Sequence, residues 1–156
     1  MKMQEIKYII FLLFFIIFFF EDIRNHSVNN IIFIAYLLIG ICFMVFNIYN
    51  HYIQIKLLSY AYIVELFLSL SLGVTIYILS ILSKEAIGKG DAIYFLINGF
   101  YLNFVENISL FIVGILVSTV ISIFIYIKNR GRVKNIIIPF IPCLLPMILW
   151  RLICIQ

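Results

Sequence analysis

The chain has little charge, few acidic residues and no cysteine motif. Only 12% of its 156 residues are charged, whereas soluble domains average about 25%. Its three cysteines form no CxxC pair and no zinc-ligand spacing, so the sequence predicts neither a metal knuckle nor a disulfide framework. The HExxH, SxxK and GxSxG motifs are also absent, which argues against metallopeptidases, Ser-Lys hydrolases and nucleophile-elbow hydrolases. No metal or other cofactor is expected.

Apolar side chains dominate the composition instead. Hydrophobic residues make up 65% of the chain and the mean hydropathy is +1.20, which indicates an integral membrane protein. The sequence predicts an all-α, polytopic protein with about six transmembrane helices in a single domain, residues 1–156. The predicted apolar segments are 5–20, 28–46, 60–83, 92–105, 108–127 and 136–153.

The fourth of these segments is too short to cross a bilayer alone. Residues 92–105 number 14, and at 1.5 Å per residue they reach roughly 21 Å, against a hydrocarbon core of ~30 Å. Two alternatives follow. Either the helix continues past Glu106, or its start, next to Asp91, lies in a recess below the membrane surface.

The basic residues predict which side each polar break faces. The breaks at 21–27, 84–91 and 128–135 hold seven Lys and Arg residues, and the N-terminus, residues 47–56, a turn near 106 and the C-terminus hold four. The positive-inside rule places the first set in the cytoplasm and both termini outside. The net charge of +4 lies in short loops, so it indicates membrane topology rather than a nucleic-acid surface.

Asp22 and Asp91 are the only aspartates of the chain, and each lies at the edge of an apolar segment. Two predicted spans separate them, so both face the cytoplasm. Two carboxylates held close together share a proton. One can then activate a water molecule while its protonated partner polarises a peptide carbonyl, which is aspartic peptidase chemistry. The alternative is that each aspartate only caps or solvates a helix end.

The stretch Gly88-Lys89-Gly90-Asp91 is the second candidate feature. Glycines permit positive φ angles and a close approach of a substrate backbone, so Gly88 and Gly90 are candidate substrate-binding or turn residues. Lys89 either favours the ionised form of a neighbouring carboxylate or anchors the loop at the cytoplasmic surface. The alternative for the whole stretch is an ordinary turn.

These residues resemble a known family. Gly88-Lys89-Gly90-Asp91 is similar to the GxGD motif of the type IV prepilin peptidases. The stretch from Asp22 resembles that family's D-x-R-x-x-x-I-P-N region, with Arg24 matching, Val28 in place of isoleucine and the proline missing. Residues 138–144, IPFIPCL, resemble the family's I-P-F-G-P-F-L segment but depart from it at Ile141 and Cys143.

The resemblance implies an aspartic endopeptidase in a prokaryotic cell membrane, with Asp22 and Asp91 as the catalytic pair at the cytoplasmic face. Its implied substrate is a type IV pilin-like precursor with an apolar N-terminal helix. Many relatives carry a CxxC-bearing insert and methylate the product, and since this chain has neither insert nor CxxC pair, peptidase activity alone is expected. The oligomeric state is left open.

Two alternatives remain, and one acid is not assigned to the site. A non-catalytic membrane assembly subunit or small transporter could keep the same helical frame. A presenilin-type or signal-peptide-peptidase-type protease shares GxGD, but its first aspartate lies within a helix after tyrosine, whereas Asp22 follows Glu21. Glu65 lies inside the third segment, where a snorkelling side chain or a polar contact between helices is favoured over catalysis.

Overall fold

The computed structural model of the chain describes residues 3–55, 60–82, 88–129 and 139–154, and every regular element among them is helical. This confirms the predicted all-α class. The helices are α1 (Met3–Asn25), α2 (Asn30–Ile55), α3 (Tyr60–Leu82), α4 (Lys89–Asn98), α5 (Phe104–Lys128) and α6 (Leu145–Cys154), with a 3₁₀ helix (Ile141–Leu144) directly before α6. Parts of two breaks predicted to be cytoplasmic, 83–87 and 130–138, lie outside the described residues.

Three of the described helices are long and apolar enough to cross a membrane: α2 over Asn30–Asn50, α3 over Ile63–Leu82 and α5 over Phe104–Lys128. Their surfaces expose large hydrophobic side chains such as Ile31, Phe67 and Phe124, which suits contact with lipid tails. In α1, thirteen uncharged residues, 8–20, lie between charged residues near both helix ends. The structure therefore agrees with a helical membrane protein.

Helix α4 is shorter than the sequence suggested. It ends at Asn98 instead of continuing to Val105 or past Glu106, and its 10 residues reach about 15 Å, half of a hydrocarbon core. The chain then turns, and α5 begins at Phe104 with Asn103 as its N-cap. Glu106 accepts a hydrogen bond from the Asn103 backbone and completes a capping box. The predicted apolar segment 92–105 runs across this cap, so the predicted end of the fourth helix was wrong.

Small residues let α4 pack closely against α3. A Cβ at Gly73 would lie 2.2 Å from the Leu96 Cα, and a Cβ at Gly99 would lie 2.9 Å from the Ser69 carbonyl oxygen. Such close backbone contacts are typical of helix pairs in membranes. The 10-residue helix is therefore fixed along most of its length by α3.

Buried polar side chains fix the far end of α4 to three other helices. The Tyr36 hydroxyl donates to Asn98 Oδ1 at 2.8 Å. The Asn107 amide donates to the carbonyl of Phe95 at 3.0 Å and to that of Ser69 at 3.4 Å. Inside a membrane protein such groups need internal partners because lipid provides none. These bonds connect α4 with α2, α3 and α5.

The last described segment carries three prolines and forms a 3₁₀ helix followed directly by α6. Pro142 lies in the 3₁₀ helix and Pro146 in the first turn of α6, positions where the missing N–H group costs little. Gly114 of α5 allows this segment to approach, since a Cβ there would lie 2.5 Å from a Leu144 methyl carbon. The 3₁₀ helix is thereby held against the side of α5.

Opposite charges meet at the end of the bundle that holds the start of α1. Arg151 of α6 forms an ion pair with Glu106 of α5 and also lies over the Tyr8 ring, 4.4 Å from its centroid. Lys7 donates to the Phe100 carbonyl and interacts electrostatically with Glu65. We call these residues the paired-charge end. Glu65 thus lies within electrostatic range of a cation on another helix.

Candidate active site

Asp22 lies in the last turn of α1, and its side chain is only 8% exposed. The helix ends just beyond it, where His26 adopts a left-handed conformation with φ of 50° and donates its backbone N–H to the Asp22 carbonyl at 3.0 Å. This is the usual left-handed end of a helix, here without the glycine that most often supplies it. The aspartate is thus fixed within the helix rather than carried on the loop.

Glu21 closes the loop that follows. Its carboxylate accepts the backbone N–H of Asn29 at 2.8 Å, and the Asn29 side chain accepts the N–H of Ile31 at the start of α2. Glu21, the acid beside Asp22, thus has a structural contact. The loop between Asp22 and α2 is therefore held in one shape by hydrogen bonds at both ends.

Asp91 lies in the first turn of α4, three residues after the N-cap Gly88. Gly88 has a φ of −60° and a ψ of 131°, so the positive φ considered from the sequence is not what this position requires. The reason for glycine is space: a Cβ there would lie 2.8 Å from Asp91 Oδ2. At Gly90, a Cβ would have no atom of the described residues within 4 Å, apart from its chain neighbours and the local helix backbone. The Lys89 side chain is exposed.

A single aromatic contact links the helix turns that carry the two aspartates. Phe18 lies one turn before Asp22, and Tyr94 lies one turn after Asp91. Both rings are completely buried, and they meet edge to face with 5.2 Å between their centroids. Phe18 also packs against Phe33 of α2, at 5.0 Å. The contact fixes the last part of α1 against the first part of α4.

The 3₁₀ helix supplies a third side of the site. The backbone N–H of Ile141 donates to Asp22 Oδ2 at 3.0 Å, across 119 residues of sequence. The Phe140 backbone also acts on the Asp22 carboxylate, and Cys143 lies close enough to interact electrostatically with both aspartates. The Phe140 ring packs against Phe95 of α4, at 6.1 Å. The described part of this segment, residues 139–144, thus contacts the Asp22 carboxylate and lies within electrostatic range of Asp91.

The charge of Asp22 acts on the carboxyl group of Asp91. Both lie beyond the ends of the apolar segments defined above. Burial, together with the nearby negative charge of Asp22, raises the pKa of Asp91 to about 7. Burial also raises the pKa of Asp22, but hydrogen bonds from the Ile141 and Phe140 backbone and the nearby His26 oppose that rise. The pair can therefore hold one proton near neutral pH.

This arrangement has the parts that water-activating acid–base chemistry needs. A carboxylate that accepts main-chain hydrogen bonds faces a carboxyl group that keeps its proton to a higher pH. Among the described residues, no three His, Cys, Asp or Glu side chains are grouped so that they could hold a metal ion. The chemistry that the described site offers is that of its two carboxyl groups.

The comparison with protein families agrees with the site. The chain matches the type IV leader peptidase family over residues 9–125, well over half of its length. The protein belongs to this family. The matched range of the chain includes both aspartates and the GxGD stretch, and it ends before Ile141. Searches of curated proteins and of solved structures gave no significant match.

Several contacts at the site were not predicted from the sequence. The sequence singled out Asp22, Asp91, Gly88, Gly90 and Lys89, and the structure brings the two aspartates and Gly88 together. Sequence reasoning missed the contact between α1 and α4, since one phenylalanine among many carries no distinguishing signal. It also missed the main-chain donor to Asp22. The only sequence signal for this donor was the pair of flanking prolines, which lack N–H groups.

Proposed function

We propose that this chain is an aspartic endopeptidase that removes the leader peptide of type IV pilin-like precursors, with Asp22 and Asp91 as its catalytic pair. The observation that carries the proposal is that the only two aspartates lie near each other: burial, together with the nearby charge of Asp22, raises the pKa of Asp91 to about 7. Structural ion pairs join opposite charges, whereas two acids in one partly buried site are typical of a catalytic pair.

The peptide bond is hydrolysed without a covalent intermediate. One carboxylate takes a proton from water, the water oxygen attacks the peptide carbonyl carbon, and the other carboxyl group protonates the carbonyl oxygen. The open space beside Gly90 and the absence of a Cβ at Gly88 support an approach of the substrate backbone to Asp91. The substrate brings its apolar helix from the bilayer to this site.

The topology belongs to the same proposal. The multi-pass chain, as a single domain over residues 1–156, lies in the cell membrane with its aspartate end at the cytoplasmic face and both termini outside. The basic breaks near the aspartates support this orientation. Residues near the two chain ends meet the turn before α5 and its first residues at the paired-charge end, since Lys7 donates to the Phe100 carbonyl and Arg151 pairs with Glu106. These contacts support the same grouping of breaks. The chain is a peptidase without methyltransferase activity.

The test is cleavage of a coexpressed pilin-like precursor, read as a mobility shift of the processed product. The wild type is expected to remove the leader, and Asp22→Asn and Asp91→Asn are each expected to abolish removal while leaving membrane insertion intact. Glu65→Gln, which changes an acid at the opposite end, is the matched control and is expected to cleave normally. Continued processing in either aspartate variant would exclude the catalytic pair and favour a non-catalytic assembly subunit or transporter.

A further inference from the structure

The two aspartates differ in what surrounds them, although they share one site. The Asp22 carboxylate accepts a hydrogen bond from the main-chain N–H of Ile141, and it lies near the His26 side chain. The Asp91 carboxyl group lies in the first turn of α4 beneath Gly88, and Asp22 is the group whose charge acts on it. Main-chain donors favour an ionised carboxylate, whereas burial favours the protonated acid.

We propose that the Ile141 amide is a positioning group that holds Asp22 as the ionised, water-activating carboxylate and leaves the proton of the pair on Asp91. This inference rests on the proposed peptidase function and adds to it the separate roles of the two acids. It also gives a function to the segment around the 3₁₀ helix, which touches the pair but contributes no acid of its own.

The sequence and geometry of the segment explain why a main-chain N–H donor is available to Asp22. Pro139 and Pro142 lack N–H groups, so the free donors between them are the amides of Phe140 and Ile141. Ile141 opens the 3₁₀ helix, where first-turn N–H groups have no partner within the helix and point outward. Gly114 of α5 and Phe95 of α4 hold the Phe140 ring, so the donor cannot easily move away.

The roles follow for each step of hydrolysis. In the first step, Asp22 accepts a proton from water, the water oxygen bonds to the carbonyl carbon, and Asp91 gives its proton to the carbonyl oxygen. In the second step, Asp22 passes its proton to the leaving nitrogen, the C–N bond breaks with its electron pair on nitrogen, and one hydroxyl of the intermediate returns a proton to Asp91. The products are an acid and an amine, and the pair regains its starting state.

The chain offers a direct experiment, because labelling aspartate with ¹³C at the side-chain carboxyl carbon places a label on two residues only. The full-length protein in lipid nanodiscs is titrated by ¹³C NMR as Asp91→Asn, which leaves the Asp22 signal, and as Asp22→Asn, which leaves the Asp91 signal. Each variant removes the charge of the other acid, so the comparison is free of their coupling. Asp22 is expected to titrate at the lower pH. The reverse order would overturn the proposal.

A second pair of variants tests the amide itself. Ile141→Pro removes the N–H donor at the first position of the 3₁₀ helix, and it also disfavours the helical φ and ψ of Phe140 before it. Ile141→Ala keeps the donor with a smaller side chain. In Ile141→Pro the acid limb of the cleavage profile is expected to move up by about one pH unit relative to Ile141→Ala, because the ionised form of Asp22 loses a charge-assisted hydrogen bond.

Each outcome separates this inference from the proposed function. Identical acid limbs in the two Ile141 variants would overturn the role of the amide. If Ile141→Pro does not fold, the order of the two NMR titrations decides. If the wild type cleaves no precursor, the proposed function fails, whereas cleavage combined with the reverse titration order removes only the assignment of roles.

Discussion

The two ends of this helical bundle arrange charge in opposite ways. At one end, Arg151 is paired with Glu106, and Lys7 interacts with Glu65. At the other end, two acids with like charges, Asp22 and Asp91, are brought together in partial burial. Opposite charges that meet at helix ends lower the energy of the folded state, whereas like charges raise it unless a proton is shared.

This difference distinguishes charged side chains that stabilise the fold from acidic side chains that are suited to acid–base chemistry. The paired-charge end joins the start of α1 to α5 and α6, and its charged side chains interact with one another. The aspartate end needs rigid support from other parts of the chain, and it has the Phe18–Tyr94 contact and the Ile141 amide. Changes at the aspartate end should therefore affect activity, and changes at the other end should affect stability alone.

The sharpest test of this contrast replaces one buried phenylalanine near each end of α1. Phe18 and Phe11 are 0% and 1% exposed, so alanine at either site should cost about 3–5 kcal/mol of unfolding free energy. Only Phe18→Ala also frees the turn that carries Asp22. Thermal unfolding in detergent and precursor cleavage at a temperature where both variants are folded would compare them. Equal activities would contradict the contrast.

Gly88→Ala should have the next largest effect, confined to activity. The new Cβ would lie 2.8 Å from Asp91 Oδ2, and the atom that must move is the carboxylate itself rather than the backbone. A displacement near 1 Å costs about 10²-fold in rate. Initial rates of cleavage and unfolding temperatures would be measured together, with the unfolding temperature expected to stay near that of the wild type.

Gly90→Ala is the matched control for that change. Nothing lies within 4 Å of its new Cβ, so kcat should stay close to the wild-type value. If KM rises while kcat stays constant, the space beside Gly90 is used by the substrate backbone. A fall in kcat equal to that of Gly88→Ala would show that the contact with Asp91 is not what requires glycine at position 88.

The pH dependence at the aspartate end should follow the proton on Asp91. With a pKa of about 7, cleavage should fall by about tenfold per pH unit above that value, because the acid that protonates the carbonyl is lost. Because the folded state holds this proton more tightly than the unfolded chain does, the unfolding free energy should also decrease as pH rises toward about 7. Rates and unfolding curves across pH 5–9 would show both trends, and a flat cleavage profile would contradict the role of Asp91.

Much of this arrangement could be predicted from the sequence, for physical reasons. Counting apolar segments placed Asp22 and Asp91 on one side, because each span reverses the direction of the chain. The end of α4 was not found in this way, because counting apolar segments passes over local signals: Asn98-Gly99 marks the end of the helix, and Asn103 followed by Glu106 marks the next start. In a membrane protein, lipid-facing and buried positions are equally hydrophobic, so no apolar periodicity marks the Phe18–Tyr94 contact.

The Ile141 donor is the part of the site least visible in sequence. Every residue except proline carries a backbone N–H, so a main-chain ligand to a carboxylate has no side-chain signature. The family resemblance singled out the IPFIPCL segment but did not indicate its role. The segment departs from the family's pattern at Ile141 and Cys143, but a change of side chain at these positions does not remove a backbone N–H donor. The position of this donor is set by the packing of the Phe140 ring against Gly114 and Phe95.

The smallest effect is expected at the paired-charge end. Glu106→Gln removes the charge that pairs with Arg151 but keeps an oxygen that can complete the capping box with Asn103. Because both partners are about a quarter exposed, the change should cost no more than about 1 kcal/mol of unfolding free energy. Cleavage should be unchanged, since this pair lies at the opposite end from the aspartates. A loss of activity without a loss of stability would show that the two ends are coupled, and α4, which connects them through Asn98 and Tyr36, would then be the element that carries the coupling.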